Sequence, residues 1–227
     1  MNGLSPEILM ACRTMCLFGS SLLCEGPDRA RLSALARESR LLREPPFSPL
    51  ADGAASRLAD ALQKAAADAG SFEAFYRGLR QDYAFLFYQV SLSKASPFES
   101  VYRTDDATLF GPSTLAVRRE YGRFGLASLA QGSRPDDHLG VELAFLAELF
   151  GRVLDDGRQA SECLEAARRF VHDHVLAFSG AYLGRVAQVA RTAFYRDAAR
   201  VVDASIAEVA CVLDAWHGGC GEVDAKG

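Results

Sequence analysis

Side chains suited to β-strands are scarce in this sequence. It has 14 Val, 2 Ile and 5 Thr against 37 Ala and 28 Leu in 227 residues. β-Branched residues favour strands, whereas unbranched ones keep their rotamer freedom in a helix. An all-β or doubly wound α/β architecture is excluded on that ground. A dominant charge is missing as well: 25 basic residues, of which only 3 are Lys, are dispersed among 29 acids for a net charge of −4. With no basic cluster the chain lacks the electrostatic footprint of a nucleic-acid binder. The six cysteines (Cys12, Cys16, Cys24, Cys163, Cys211, Cys220) fall at no CxxC spacing, and a chain this long needs no disulfide staples, so they read as small buried hydrophobes in a reducing compartment. Long apolar runs are lacking too. The uncharged stretch from Thr14 to Cys24 covers 11 residues, too short to span a bilayer, and no positively charged segment precedes it as in a signal peptide. A cytoplasmic protein that is not embedded in a membrane is the expectation. Phosphate-cradling glycine loops, an HExxH pair and a GxSxG elbow are all absent, which removes most enzyme templates.

What remains is ample apolar content, 49%, arranged at helical spacing. Ser5 as N-cap and Pro6 at the first helical position open a helix to about Cys24, with Ile8, Cys12, Met15 and Cys16 on one face. Leu32, Leu35, Ala36 and Leu42 mark a second helix, after which Pro45, Pro46 and Pro49 predict an extended loop. Ala54 to Ala69 forms a third. Ser71 caps a central helix in which Phe72, Phe75, Tyr76, Leu79, Tyr83, Leu86, Phe87 and Val90 recur every three or four residues. From Ser91 to Pro112 the periodicity stops. Further helices are expected over about 113–124, from Pro135 to about Asp155, and over 161–178, 180–190 and 194–216. The fold class is therefore all-α, one globular domain of eight or nine helices over residues 1–217, with a flexible tail at 218–227.

Four histidines carry the candidate chemistry. His172 and Asp173, with His138 upstream and Asp197 or Asp203 downstream, resemble the metal set of all-helical HD phosphohydrolases, since imidazole and carboxylate together suit a divalent metal. Against that alternative, residues at i and i+1 point about 100° apart on a helix. Pro135-Asp136-Asp137-His138 is the more informative cluster. Asp136 at the N-cap accepts a backbone N–H, leaving Asp137 as a second, free carboxylate at an exposed turn near the positive helix end.

Four segments in order resemble the TorD/DmsD family of chaperones for molybdenum oxidoreductases exported by the twin-arginine route. Asp82-Tyr83-Ala84-Phe85-Leu86-Phe87 is similar to the family's Asp-aromatic-x-x-Leu-Phe. Ser96-Pro97-Phe98-Glu99-Ser100-Val101-Tyr102, followed by Leu109-Phe110-Gly111-Pro112-Ser113-Thr114-Leu115, is similar to its Pro-aromatic-x-Ser-Val-aromatic loop and next helix start. Pro135-Asp136-Asp137-His138-Leu139-Gly140 is similar to its Pro-x-Asp-His turn, and Ala193-Phe194-Tyr195-Arg196 to a Phe-Tyr motif near the C-terminus. Tyr83 and Phe98 stand where the family often has Trp, and Tyr88-Gln89-Val90 replaces its usual Gly-Pro.

The resemblance implies a non-enzymatic, cytoplasmic chaperone without metal or cofactor, monomeric or a domain-swapped dimer. It would bind the twin-arginine signal peptide of a molybdenum oxidoreductase precursor and delay export until cofactor insertion. Two guanidinium forks followed by an apolar stretch call for an apolar groove with carboxylates at its mouth. The residues implied are Tyr83, Leu86 and Phe87 for the floor, Phe98 and Tyr102 for the wall, and Asp137 with His138 for the polar rim, with Asp105 or Asp106 assisting; Asp82, Pro97, Ser100 and Pro135 complete the implied binding residues.

Overall fold

The structure is a computed structural model that describes residues 4–88, 95–103, 109–126 and 135–224, the side chains of Tyr88 and residues 218–224 excepted. The all-α expectation holds. Nine helices and no strands are found among the described residues. They are α1 (Pro6–Cys24), α2 (Arg29–Arg37), α3 (Ala54–Ala65), α4 (Ala69–Tyr83, continued by a π turn Ala84–Tyr88), α5 (Ser100–Arg103), α6 (Pro112–Arg123), α7 (Leu139–Asp155), α8 (Ala160–Phe170, a π turn Val171–Val175, then Leu176–Val189) and α9 (Ala193–Asp224). Expectations falling on residues 89–94, 104–108 and 127–134, Val90, Asp105 and Asp106 among them, lie outside the described residues.

The helices fall into two compact units, each described by itself. The first comprises residues 1–21, 98–179 and 205–227; the second, residues 22–97 and 180–204.

In the first unit α7 packs on α8. Leu139, Leu143, Leu146, Leu149 and Phe150 line the inward side of α7 and are sealed from solvent. Phe145, Phe170 and Tyr121 stack on one another, with centroids 4.7 and 4.9 Å from Phe145. α1 buries Leu9, Cys12, Met15 and Cys16, while Ile8, assigned to that face from the sequence, is exposed. By length and composition α1 is the one described helix able to cross a membrane. Its buried face reads instead as core packing. Burial pushes the Cys12 thiol up to about 12 and raises that of Cys16 further, so both stay protonated and unreactive.

In the second unit α3 packs on α2 and on the 3₁₀ turn Ser39–Arg43, burying Ala55, Leu58, Ala59 and Leu62. The proline-rich stretch is not extended. Turns at 45–49 follow that 3₁₀ turn, with Phe47 N–H donating to the Glu44 carbonyl and a cis Pro45–Pro46 bond, and they tuck Phe47 and Leu50 into the core. Asp28 caps α2 through the Arg31 N–H (3.0 Å). Asp68, not Ser71, caps α4 through the Ser71 N–H (2.9 Å), because a cap must stand before the first turn whose amides it satisfies.

The two helices expected on either side of Ser179 form one. Gly180 and Gly184 do not interrupt α8, since glycine in a helix interior costs only about 1 kcal/mol against alanine. Its irregularity lies earlier, at the π turn.

Candidate functional site

In the first unit a short antiparallel bridge joins Phe98 to His138, with Glu99 N–H donating to the Asp137 carbonyl at 2.9 Å. It ties the loop that opens α5 to the loop that opens α7. Behind it lie four carboxylates, Glu99, Asp136, Asp137 and Glu142, each with 0% exposure. Carboxylates are rarely buried unless paired, so each needs an explanation.

Asp137 is held by three elements. Its Oδ2 accepts from the Ser100 N–H at 2.7 Å, at the first turn of α5, and its Oδ1 from the Thr114 hydroxyl at 2.9 Å, in the first turn of α6. Its own chain leads into α7. The free, exposed carboxylate expected from the sequence is therefore a buried brace whose oxygens are already committed.

Asp136 is not the N-cap of α7. That role falls to His138, whose Nδ1 accepts from the Gly140 N–H at 3.1 Å and so leaves its proton on Nε2. Asp136 turns to α6 instead, accepting from Arg118 Nε at 2.6 Å, while its carbonyl accepts from the Tyr121 hydroxyl at 3.1 Å. The helix begins at Leu139, four residues after the expected Pro135, because this tetrapeptide is extended and spends its polar groups on neighbouring elements.

Glu99 accepts from Arg103 Nε at 2.9 Å and faces His174 Nδ1 at 3.0 Å. Arg103 also donates to the Asp173 carbonyl. Both partners belong to the π turn of α8, whose extra residue breaks the regular ladder and leaves a carbonyl for a side chain to bind. Glu142 has no hydrogen-bond partner for either oxygen. Burial, and then the nearby Glu99 and Asp137, push its carboxyl well above the usual range, which favours its neutral form.

The second unit places Asp82 under the start of α9. Its carboxylate accepts from the N–H groups of Arg191 (3.1 Å) and Thr192 (2.7 Å) and from the Thr192 hydroxyl (2.6 Å). This is capping at a distance of over a hundred residues in sequence. Asp82→Ala is expected to cost about 1–2 kcal/mol, since it takes a buried acceptor away from three part-buried donors at the start of α9. Urea denaturation measures it, and a loss under about 0.5 kcal/mol would show that α9 needs no such anchor.

One turn beyond, Tyr83, Phe87 and Tyr195 pack edge to face, with the Tyr83 and Phe87 centroids 4.9 Å apart and those of Phe87 and Tyr195 6.2 Å apart. Tyr182 lies 6.4 Å from Phe87. The Arg191 guanidinium covers the Phe85 ring at 3.8 Å. Gly26 admits the Tyr83 ring, which a Cβ there would meet at 3.3 Å.

The sequence-derived site divides accordingly. Leu86 is sealed in the core at 0% exposure and is no groove floor, since it continues the buried stripe of Leu79 and Tyr83. Asp82, Tyr83, Pro97, Ser100, Pro135, Asp137 and His138 are buried framework. Phe87 and Phe98 are half-buried and Tyr102 is 37% exposed. Tyr102 rests against Phe178 at 5.6 Å between centroids.

Glu99, Thr114, Arg118, Glu142 and Thr192 went unselected by sequence reasoning. Glu142 left a signal: it lies in the same stripe as Leu139, Leu143 and Leu146, where a carboxylate is forced inward.

The alternative metal set does not assemble. His172 pairs with Asp214 at 2.9 Å, and Asp197 takes Arg57 and Arg200 at 2.8 and 3.0 Å. Among the described residues no group of three or more His, Cys, Asp or Glu is placed to hold a metal ion.

The sequence model of the family described as nitrate reductase delta subunit matches residues 45–183. The chaperone protein TorD of Vibrio cholerae (El Tor Inaba N16961) is 31% identical over 138 residues, which is 60% of this chain and 62% of that protein. TorD of Vibrio vulnificus (YJ016) is 27% identical over the same shares. A probable Tat proofreading chaperone, DmsD, of Haemophilus influenzae is 27% identical over 127 residues, 53% of this chain and 56% of that one. The chain thus spans less than two thirds of the length of these relatives.

Proposed function

As a member of the nitrate reductase delta subunit family, the chain is, we propose, a redox-enzyme maturation chaperone. In this reading it works in the cytoplasm and binds the twin-arginine signal peptide of a molybdenum oxidoreductase precursor, delaying export until cofactor insertion. It performs no catalysis of its own. The reading is supported by relatives named as chaperone and Tat proofreading chaperone.

One observation carries it. Within the matched residues 45–183, the first unit's motif aromatics Phe98 and Tyr102 keep exposed surface while the polar residues beside them, Ser100 and Asp137, are spent on internal hydrogen bonds. Framework that is this costly to bury, holding aromatic rings at the surface, is the arrangement expected of a preorganised receptor for an apolar segment.

Ser100, Pro135, Asp137 and His138 then act as supports that fix where the rings stand. Phe98 and Tyr102, both in the first unit, are the residues proposed to meet the leader. Its guanidinium groups have to find carboxylates other than the committed oxygens of Asp137.

The test is titration of the full chain with a synthetic leader bearing two arginines and its apolar stretch. A dissociation constant on the order of micromolar, about −8 kcal/mol, suits a chaperone that must release its client. Phe98→Ala or Tyr102→Ala is expected to weaken binding about tenfold, and a twin-lysine leader to bind less well, since lysine cannot offer the bidentate fork. Failure of every twin-arginine leader of the host to bind would overturn the reading.

A further inference from the structure

We propose that the outer face of α6 is a docking surface for a protein segment in which a carboxylate is flanked by apolar side chains. The inference stands apart from leader binding, on a different element.

It begins with Phe110. This residue adopts φ +63° and exposes 58% of its surface. A left-handed backbone is unfavourable for a bulky side chain, and glycine or asparagine would serve better. The strain is not repaid by burial. Phe110 and Leu115 stand at the N′ and N4 positions of α6, the two places of a hydrophobic staple, which sets them on the same side of the helix start. Yet Leu115 is 52% exposed too, so the staple leaves most of both side chains in water.

From Leu115 the same face continues to Arg118, Arg119 and Gly122, three, four and seven residues on. Arg118 is neutralised by Asp136 and Arg123 by Glu120. Arg119 is exposed and carries no ion pair among the described residues. Gly122 is open as well: a Cβ there would meet nothing within 4 Å. No internal packing calls for that glycine, although it weakens the helix, and its bare backbone lets a partner chain approach closely.

An aromatic ring, a leucine and a free guanidinium in one patch have the composition of a binding hot spot. The charge fixes the partner's sign. In a chain of net charge −4 this face shows an unneutralised cation between two spent ones. One free arginine is too little to hold an anionic lipid surface, which is bound through several charges together. It is well matched to one carboxylate taken by a planar fork. A protein segment is therefore the occupant.

The experiment places the photoreactive residue benzoylphenylalanine at position 110 of the full chain in its host, and maps the crosslinked peptides by mass spectrometry. The expected partner peptide has Asp or Glu beside apolar residues, and Arg119→Glu lowers its yield at least tenfold. With the photoreactive group moved to position 115, Phe110→Gly is expected to lower the yield similarly while leaving the unfolding midpoint unchanged or raised, because glycine relieves the backbone. Neither variant changes affinity for a twin-arginine leader, so the two readings fail separately. Crosslinks to lipid or to a second copy of this chain would overturn the proposal. So would yields indifferent to Arg119→Glu, or no greater than those from exposed Leu41 as a control.

Discussion

Asp137→Ala is expected to remove about 3–5 kcal/mol of stability, the largest loss of any single polar substitution in the first unit. The reasoning is one of satisfaction. Both partners, the Ser100 N–H and the Thr114 hydroxyl, are buried, and each is left without an acceptor when the carboxylate is deleted. A buried donor stranded in this way costs about 1–3 kcal/mol, more where its partner was charged. The energy is also structural information, because the lost bonds tie the starts of α5 and α6 to the chain entering α7.

Urea unfolding with the slope held constant measures the loss. A change below about 1 kcal/mol would show that the brace is not strained by its removal. A second readout separates brace from binding partner. If Asp137 only positions Phe98 and Tyr102, its removal weakens twin-arginine and twin-lysine leaders by the same factor. If it met a guanidinium directly, the preference for arginine would vanish.

The second large effect concerns Glu142 and has the opposite sign. Its carboxyl is raised well above the usual value by burial, with Glu99 and Asp137 adding to it, and neither of its oxygens has a partner. In the unfolded chain the same group ionises near pH 4.5. Between that pH and the folded value the native state holds one proton more than the unfolded state. Stability therefore falls as pH rises through this window, at up to about 1.4 kcal/mol per pH unit, and is greatest below pH 4.5 as far as this group is concerned.

Glu142→Met is expected to abolish that slope and to raise stability at pH 7 by about 1–3 kcal/mol, since an apolar side chain of similar size replaces two unsatisfied atoms. Glu142→Gln abolishes the slope without the full gain, because it leaves an amide buried in the same place. Thermal or urea unfolding from pH 5 to pH 8 tests both. A slope unchanged in either variant would mean that another group titrates in this window. A protein that keeps a destabilising acid at such a position follows the usual pattern of functional sites, where local rules are broken at a cost to the fold.

The fold was legible because its signals are local. Apolar residues at three- and four-residue spacing announce α4 and α7 wherever the rest of the chain goes. Ser5 and Pro6 at the head of α1 are equally plain, since Ser5 Oγ accepts from the Ile8 N–H at 3.4 Å and the helix opens at Pro6. The π turns of α4 and α8 were not legible. Helical periodicity persists through them, and the contact that the α8 turn makes, His174 with Glu99, lies 75 residues away in sequence.

The candidate site was legible as a set of motifs and misread as a set of roles. Asp136 and Asp137 stand side by side in a turn, and their spacing alone recommends a cap and a spare carboxylate. Which oxygen goes where depends on Thr114, Arg118 and Ser100, up to 37 residues away. In the same way Asp82 stands in the sequence as the first residue of a binding motif, whereas its partners lie 109 and 110 residues downstream.

Composition and periodicity by themselves determined that this chain is all-helical and where most of its helices run, and short motifs carry its resemblance to a chaperone family, because helix formation and motif identity depend on neighbours within a few residues. Tertiary structure alone decided that the acids of those motifs are internal struts, that Leu86 is core, and that Phe87, Phe98, Tyr102 and Phe110 keep a face to solvent. Burial of a charge is settled by donors that arrive from distant parts of the chain, and no local pattern reports their arrival.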